Sequence, residues 1–107
     1  MSYNVESTES FKRQLKRLVK KYPSLKKETG LLINILEQTP EYGTPIGKGC
    51  YKIRLAIASK GKGKSGGARV ITHIYVTRQT VYLLAIYDKS EQQNIPDNIL
   101  EALLRQL

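Results

Sequence analysis

"CYKIRLAIASKGKGKSGGARVI", Cys50 to Ile71, decides how this chain folds. Its first nine residues alternate, with Tyr51, Ile53, Leu55 and Ile57 on one side and Lys52, Arg54, Ala56 and Ala58 on the other. A period of two marks a strand with one buried face. A run of Gly and Lys follows, and Arg69 opens a second β-branched segment, "ARVITHIYVT". The stretch therefore reads as two strands joined by a basic loop.

Gly63, Lys64 and Ser65 invite a nucleotide-binding reading, which the surroundings exclude. The phosphate loop needs a glycine five positions before Gly63, where Ala58 stands. It must also open a helix whose N-terminus holds phosphate, and here it opens a strand. No carboxylate lies nearby to hold magnesium. What remains is Lys60, Lys62 and Lys64 alternating with Gly. Their mutual repulsion keeps the backbone loose, and an arriving anion relieves it. The pattern points to contact with a phosphate backbone more than to a plain connector.

Outward from this stretch the pattern is α+β. "TVYLLAIYD" and the preceding "ARVITHIYVT" are apolar on both faces, as central strands are, and "RQ" between them suits a tight hairpin. Upstream, "EYGTPIGKG" is a loop by composition. Before it, Ser7 or Thr8 caps a helix with an apolar stripe of Phe11, Leu15, Leu18, Val19 and Tyr22, stopped by Pro23. Ser24 caps a second helix that turns Leu25, Leu32, Ile35 and Leu36 inward and closes at Thr39-Pro40, with Gly30 weakening its middle. "SYNVES" precedes the pair as an edge strand. "NIPDNILEALLRQL" forms a terminal helix, with Pro96 near its start and Ile99, Leu100, Leu103, Leu104 and Leu107 along one side. The expected fold is a helical hairpin on a small twisted antiparallel sheet with a C-terminal helix, one domain over residues 1–107.

Charge narrows the function. The chain carries 18 basic and 9 acidic residues, a net +9. Between Tyr42 and Tyr87 there is no acid, yet Lys48, Lys52, Arg54, Lys60, Lys62, Lys64, Arg69 and Arg78 fall there. Removing those 8 leaves 10 basic residues against all 9 acids, so the excess belongs to one half of the chain. A one-signed field of this kind attracts a polyanion, most commonly nucleic acid. Cys50 is the single cysteine and has no intramolecular disulfide partner; with His73 the single histidine, no metal-binding cluster exists. "MSYNVESTESFKRQ" has no apolar signal run, and no stretch has membrane-spanning length. The expectation is a cytoplasmic protein without a membrane partner.

Lys52 and Arg54 share a strand face about 7 Å apart. Antiparallel pairing brings Arg69 near them, and Lys89 in "YDKSEQ" reaches the sheet end from the other side. Such a cluster suits RNA cleavage by attack of a ribose 2′-hydroxyl on its own phosphate, which requires base, acid and charge stabilisation but neither metal nor cofactor. One histidine excludes a two-histidine mechanism, and a lysine among like charges loses its proton more readily, which makes Lys52 the candidate base. His73, mid-strand among apolar neighbours, reads as structural, and Cys50 as a small core residue. Tyr51, Tyr75, Tyr82 and Tyr87 are read mostly as core, with base stacking the alternative. Lys48 and Arg78 join Lys60, Lys62 and Lys64 as RNA contacts.

The order of elements and the motifs "CYKIR", "KGKGKSGGARVI" and "LLAIYDKSEQ" resemble the RelE/HigB group of bacterial toxins, within the RelE/ParE superfamily. The resemblance is most specific from Gly47 to Glu91. It implies a ribosome-dependent mRNA endonuclease that leaves a 2′,3′-cyclic phosphate, meets ribosomal RNA as well as message, and is held inactive by a cognate antitoxin. By that resemblance Lys52, Arg54, Arg69 and Lys89 are the catalytic positions. RelE has a tyrosine shortly after the last basic residue, whereas "SEQQNI" here offers none. Two readings compete: a gyrase poison of the ParE type, and an RNA-binding domain without catalysis.

Overall fold

A computed structural model describes residues 2–61 and 66–107. In order, the elements are β1 (Asn4–Ser7), α1 (Glu9–Lys21), α2 (Leu25–Gln38), β2 (Thr44–Gly47), β3 (Cys50–Leu55), β4 (Ala68–Tyr75), β5 (Thr80–Asp88) and α3 (Asp97–Arg105). The five strands form one sheet in the order β1-β5-β4-β3-β2. The α+β class holds, with one change: the sheet is mixed, because β1 runs parallel to β5 while the other neighbours are antiparallel.

Thr8 caps α1, its hydroxyl accepting from Phe11 N at 3.1 Å. Ser24 was expected to cap α2 in the same way, but its hydroxyl donates instead to Glu28 and accepts from Ser59 N. Gly30 does not interrupt α2. Both helices lie on one sheet face, burying Phe11, Leu18, Leu25, Leu32 and Leu36 against Ile53, Ile57, Val70, Val81, Leu83 and Ile86. The opposite face takes α3, which seats Leu100 and Leu103 over Cys50, Ile71, Leu84, Ala85 and Tyr87. Three residues of the expected apolar stripes point out: Ile35 is 41% exposed on α2, Ile99 is 47% exposed on α3 and Leu107, just past it, is 39% exposed. In α2 the buried position goes to Thr29 instead.

Three local readings also change. "TPIG" is a short strand, not loop, since Thr44 pairs with Lys52 and Pro45 with Tyr51. β3 ends at Leu55, and Ala58–Lys60 coil into a 3-10 turn anchored on α2 by Ala58 N donating to Glu28. The β4–β5 connection is longer than "RQ", because Val76–Arg78 form another 3-10 turn, closed by Gln79 in the left-handed region.

Gly67, immediately before β4, sits so close to β3 that an added Cβ would lie 2.1 Å from the Leu55 carbonyl oxygen. Backbone carbonyls cannot yield as side chains do, so Gly67→Ala must push β3 and β4 apart. The expected cost is about 1–3 kcal/mol, read as a lower urea midpoint with unchanged slope.

Candidate functional site

Register builds the site. Arg54 stands opposite Arg69, and Arg69 opposite Tyr87, so these three side chains form one row across β3, β4 and β5. The next row on the same face is Lys52, Ile71 and Ala85, and the third is Cys50, His73 and Tyr82. This is the face that α3 covers over Ile71 and Ala85. Lys52 is half-buried and donates to Asn94 Oδ1 at 3.2 Å, in the segment leading into α3. Lys89 follows β5 directly, tied by its backbone N–H to Gly67 O at 3.0 Å. The register thus brings Lys52, Arg54 and Arg69 to one face, and Lys89 follows the adjoining end of β5.

Arg69 is the innermost member, only 4% exposed, and donates to Ala68 O at 3.1 Å. Burial and the neighbouring Arg54 both lower its pKa, the expected sign for a cation with a like charge beside it. It stays protonated, because guanidinium starts so high. Tyr87, counted as core from sequence, completes the row: its hydroxyl is buried and has no hydrogen-bond partner among the described residues. Burial raises its pKa and Arg69 opposes the rise, so the phenol keeps its proton at neutral pH and has an O–H to donate.

The remaining predicted contacts scatter. Lys48 meets Glu101 of α3 at 2.7 Å, both side chains about half exposed. Arg78 lies at the far end of the sheet, over the Tyr75 ring at 4.8 Å and within 3.4 Å of the Tyr82 hydroxyl. Lys62 and Lys64 fall outside the described residues. Lys60 departs from the expectation of a loosely held phosphate contact. Its ammonium is 2.5 Å from Asp88 Oδ1, with the two side chains 10% and 0% exposed. Tyr22 donates to Asp88 Oδ2 at 2.8 Å, and Ser90 N and Oγ donate to Oδ1. This network lies on the helical-hairpin face, behind the basic row, and fixes the end of β5. His73 is partly buried, its Nδ1 3.7 Å from Cys50 Sγ, and burial pushes the Cys50 thiol up to about 11. Neither contributes to the row.

Comparison with known proteins now bears on what this arrangement belongs to. The profile of the family described as the RelE toxin of the RelE / RelB toxin-antitoxin system matches residues 8–106. The chain belongs to the RelE toxin family. Its fold is shared with solved toxins: a double mutant of the E. coli toxin RelE in the free state superposes with a TM-score of 0.63 at 14% identity, covering 100% of this chain and 99% of that one. The isolated E. coli RelE toxin gives 0.57 at 20% identity, over 99% and 100%. The toxin in the RelBE2 toxin-antitoxin complex from Mycobacterium tuberculosis gives 0.59 at 18% identity, over 82% and 92%. At such identities the likeness is one of fold, and the RelE resemblance read from the motifs is borne out at that level.

Burial pushes the Asp88 carboxyl up, but the bonds from Lys60, Ser90 and Tyr22 outweigh it and hold the pKa well below the usual carboxylate range. A depressed folded-state pKa contributes stability that is complete above the unfolded value near 3.9 and is lost as pH falls toward the folded one. Asp88→Asn leaves Lys60 buried without its counter-charge and is expected to cost about 3–5 kcal/mol. Denaturant midpoints between pH 3 and 7 check this: the variant lacks the component that the parent loses below about pH 4.

Proposed function

We propose that this RelE-family toxin cleaves mRNA on the ribosome, by attack of a ribose 2′-hydroxyl on the adjacent phosphate. The observation that carries the reading is the row of Arg54, Arg69 and Tyr87, with Lys52 and Lys89 beside it. Two opposed guanidiniums concentrate positive charge on one face, and a pentavalent phosphate is the group that complements it. Two forked guanidiniums can stabilise its developing charge. Lys52, half-buried and donating to the neutral Asn94 amide oxygen, is assigned to move the 2′-hydroxyl proton. Lys89, just past the end of β5, is assigned to the leaving 5′-oxygen.

The phenol that the resemblance expected after the last basic residue has a counterpart two positions before it. Tyr87, protonated and without a hydrogen-bond partner among the described residues, is assigned to donate to a phosphate oxygen or to the leaving group. A gyrase poison would have no use for phosphate-directed groups on this face. A purely binding domain would not need to bury an arginine beside an orphaned hydroxyl. Messenger on the ribosome, ribosomal RNA and a cytoplasmic setting belong to the same reading.

Primer extension on messages from cells expressing the chain should show codon-periodic cuts. Arg69→Ala or Lys52→Ala should abolish them, and Tyr87→Phe should slow them roughly 10²-fold, with each variant retaining its circular-dichroism spectrum. Intact messages from the parent chain would turn the reading toward gyrase or simple binding. Normal cutting by both the Arg69 and Lys52 variants would dissolve the site assignment.

A further inference from the structure

The β1 ladder on β5 ends at Ser7 opposite Leu83. The rest of β5, which carries Tyr87 and leads into Lys89, is paired through β4, with Gln14 Oε1 accepting from Ile86 N on the other side. A strand end held mainly from one side is where a sheet frays. Here it is pinned from behind. Asp88 stands opposite Ala68, one step from the Arg69–Tyr87 pair, and is fully buried. Its Oδ1 accepts from the Lys60 ammonium and from Ser90 N and Oγ, and its Oδ2 accepts from the Tyr22 hydroxyl at 2.8 Å. The Asp88 carbonyl accepts from Glu91 N at 3.0 Å and Gln92 N at 3.1 Å. Lys60 is anchored in turn, because Ser59 beside it exchanges two hydrogen bonds with Ser24 at the start of α2. One residue thus joins the end of α1, the turn after β3 and the turn after β5.

A buried ion pair is a poor device for stability alone, since apolar side chains of similar volume fill the space without desolvating two charges. What the charged groups supply is direction, through hydrogen bonds of defined geometry. We infer that Lys60 and Asp88 are a positioning pair: their contact behind the sheet holds the backbone at Asp88 so that Tyr87 stays in the arginine row and Lys89 stays at the strand end beside it. Neither side chain touches substrate; both act through the residues before and after Asp88. Lys89 N also donates to Gly67 O, which carries any shift at this point to the start of β4 and Arg69. A misplacement of about 1 Å at reacting groups is enough to slow chemistry roughly 10²-fold. The effect on rate rests on the function proposed above; the effect on where Tyr87 sits does not.

Lys60→Met with Asp88→Leu removes the pair and leaves net charge unchanged, so the pull on a polyanion is held constant. Its melting temperature is expected to stay close to the parent's. On programmed ribosomes its saturating single-turnover rate should fall roughly 10²-fold, while the chain concentration giving half that rate stays within about twofold. Tyr22→Phe deletes one bond to Asp88 and keeps the ion pair; it should slow cleavage about fivefold with the same split. The isolated chain gives a second reading that needs no cleavage. With isotope-labelled tyrosine, the Tyr87 ring signals should shift in both variants, while those of Tyr75 and Tyr82, further along the sheet, hold. Parent-like cleavage rates in both variants overturn the proposal, as does a loss confined to the half-saturating concentration. Tyr87 signals that stay at the parent's positions overturn it too. A parent chain that leaves message intact counts against the proposed function, and the tyrosine spectra then decide the positioning on their own.

Discussion

The β3–β4 register sets two arginines opposite one another, and the proposed site is built on that pairing. Like charges directly across a ladder are unfavourable by about 0.2–1 kcal/mol. The register survives because the other face fixes it: Ile53 and Val70, paired and fully buried, lie under the helical hairpin. A slip of one residue would turn Arg54 into that core and Ile53 out to solvent. Hydrophobic burial of roughly 2 kcal/mol per such side chain outweighs the repulsion on the opposite face. The apolar side of the strand thus holds the charged side in a geometry it would not choose alone.

The end of the sheet divides its charges between two faces. Asp88 points to the helical hairpin and is closed off by Lys60, Tyr22 and Ser90, while Tyr87 and Lys89 flank it in sequence. The acid that terminates β5 is therefore neutralised behind the sheet, where it cannot cancel the cations in front. That arrangement takes Lys60 out of the set available to a polyanion and makes it a fixture of the site's foundation.

Much of this was legible in the residues. Strand alternation from Tyr51 to Ile57 reported which side of β3 is buried, and it placed Lys52 and Arg54 together correctly. Helical spacing from Phe11 to Tyr22 did the same for α1. Periodicity failed where burial depends on neighbours that a linear pattern does not contain. Ile35 fits the inward stripe of α2, yet the sheet is too narrow at the β3 edge to cover it. β1 carries no sign of its parallel partner, because parallel pairing leaves no turn between the strands. Composition marked Lys60 as one of three equivalent loop cations, and only the fold sets it against an acid 28 residues away. Tyr87 read as core because it is buried; that its hydroxyl is left unpaired is a fact of three-dimensional packing alone.

The most direct test is single-turnover cleavage of a defined message on programmed ribosomes by the Arg54→Ala, Arg69→Ala double variant, with its unfolding free energy measured alongside. If the opposed arginines are held for a phosphate, cleavage should fall by 10³-fold or more while stability stays level or rises as the repulsion is relieved. A double variant that cuts at the parent's rate would contradict it.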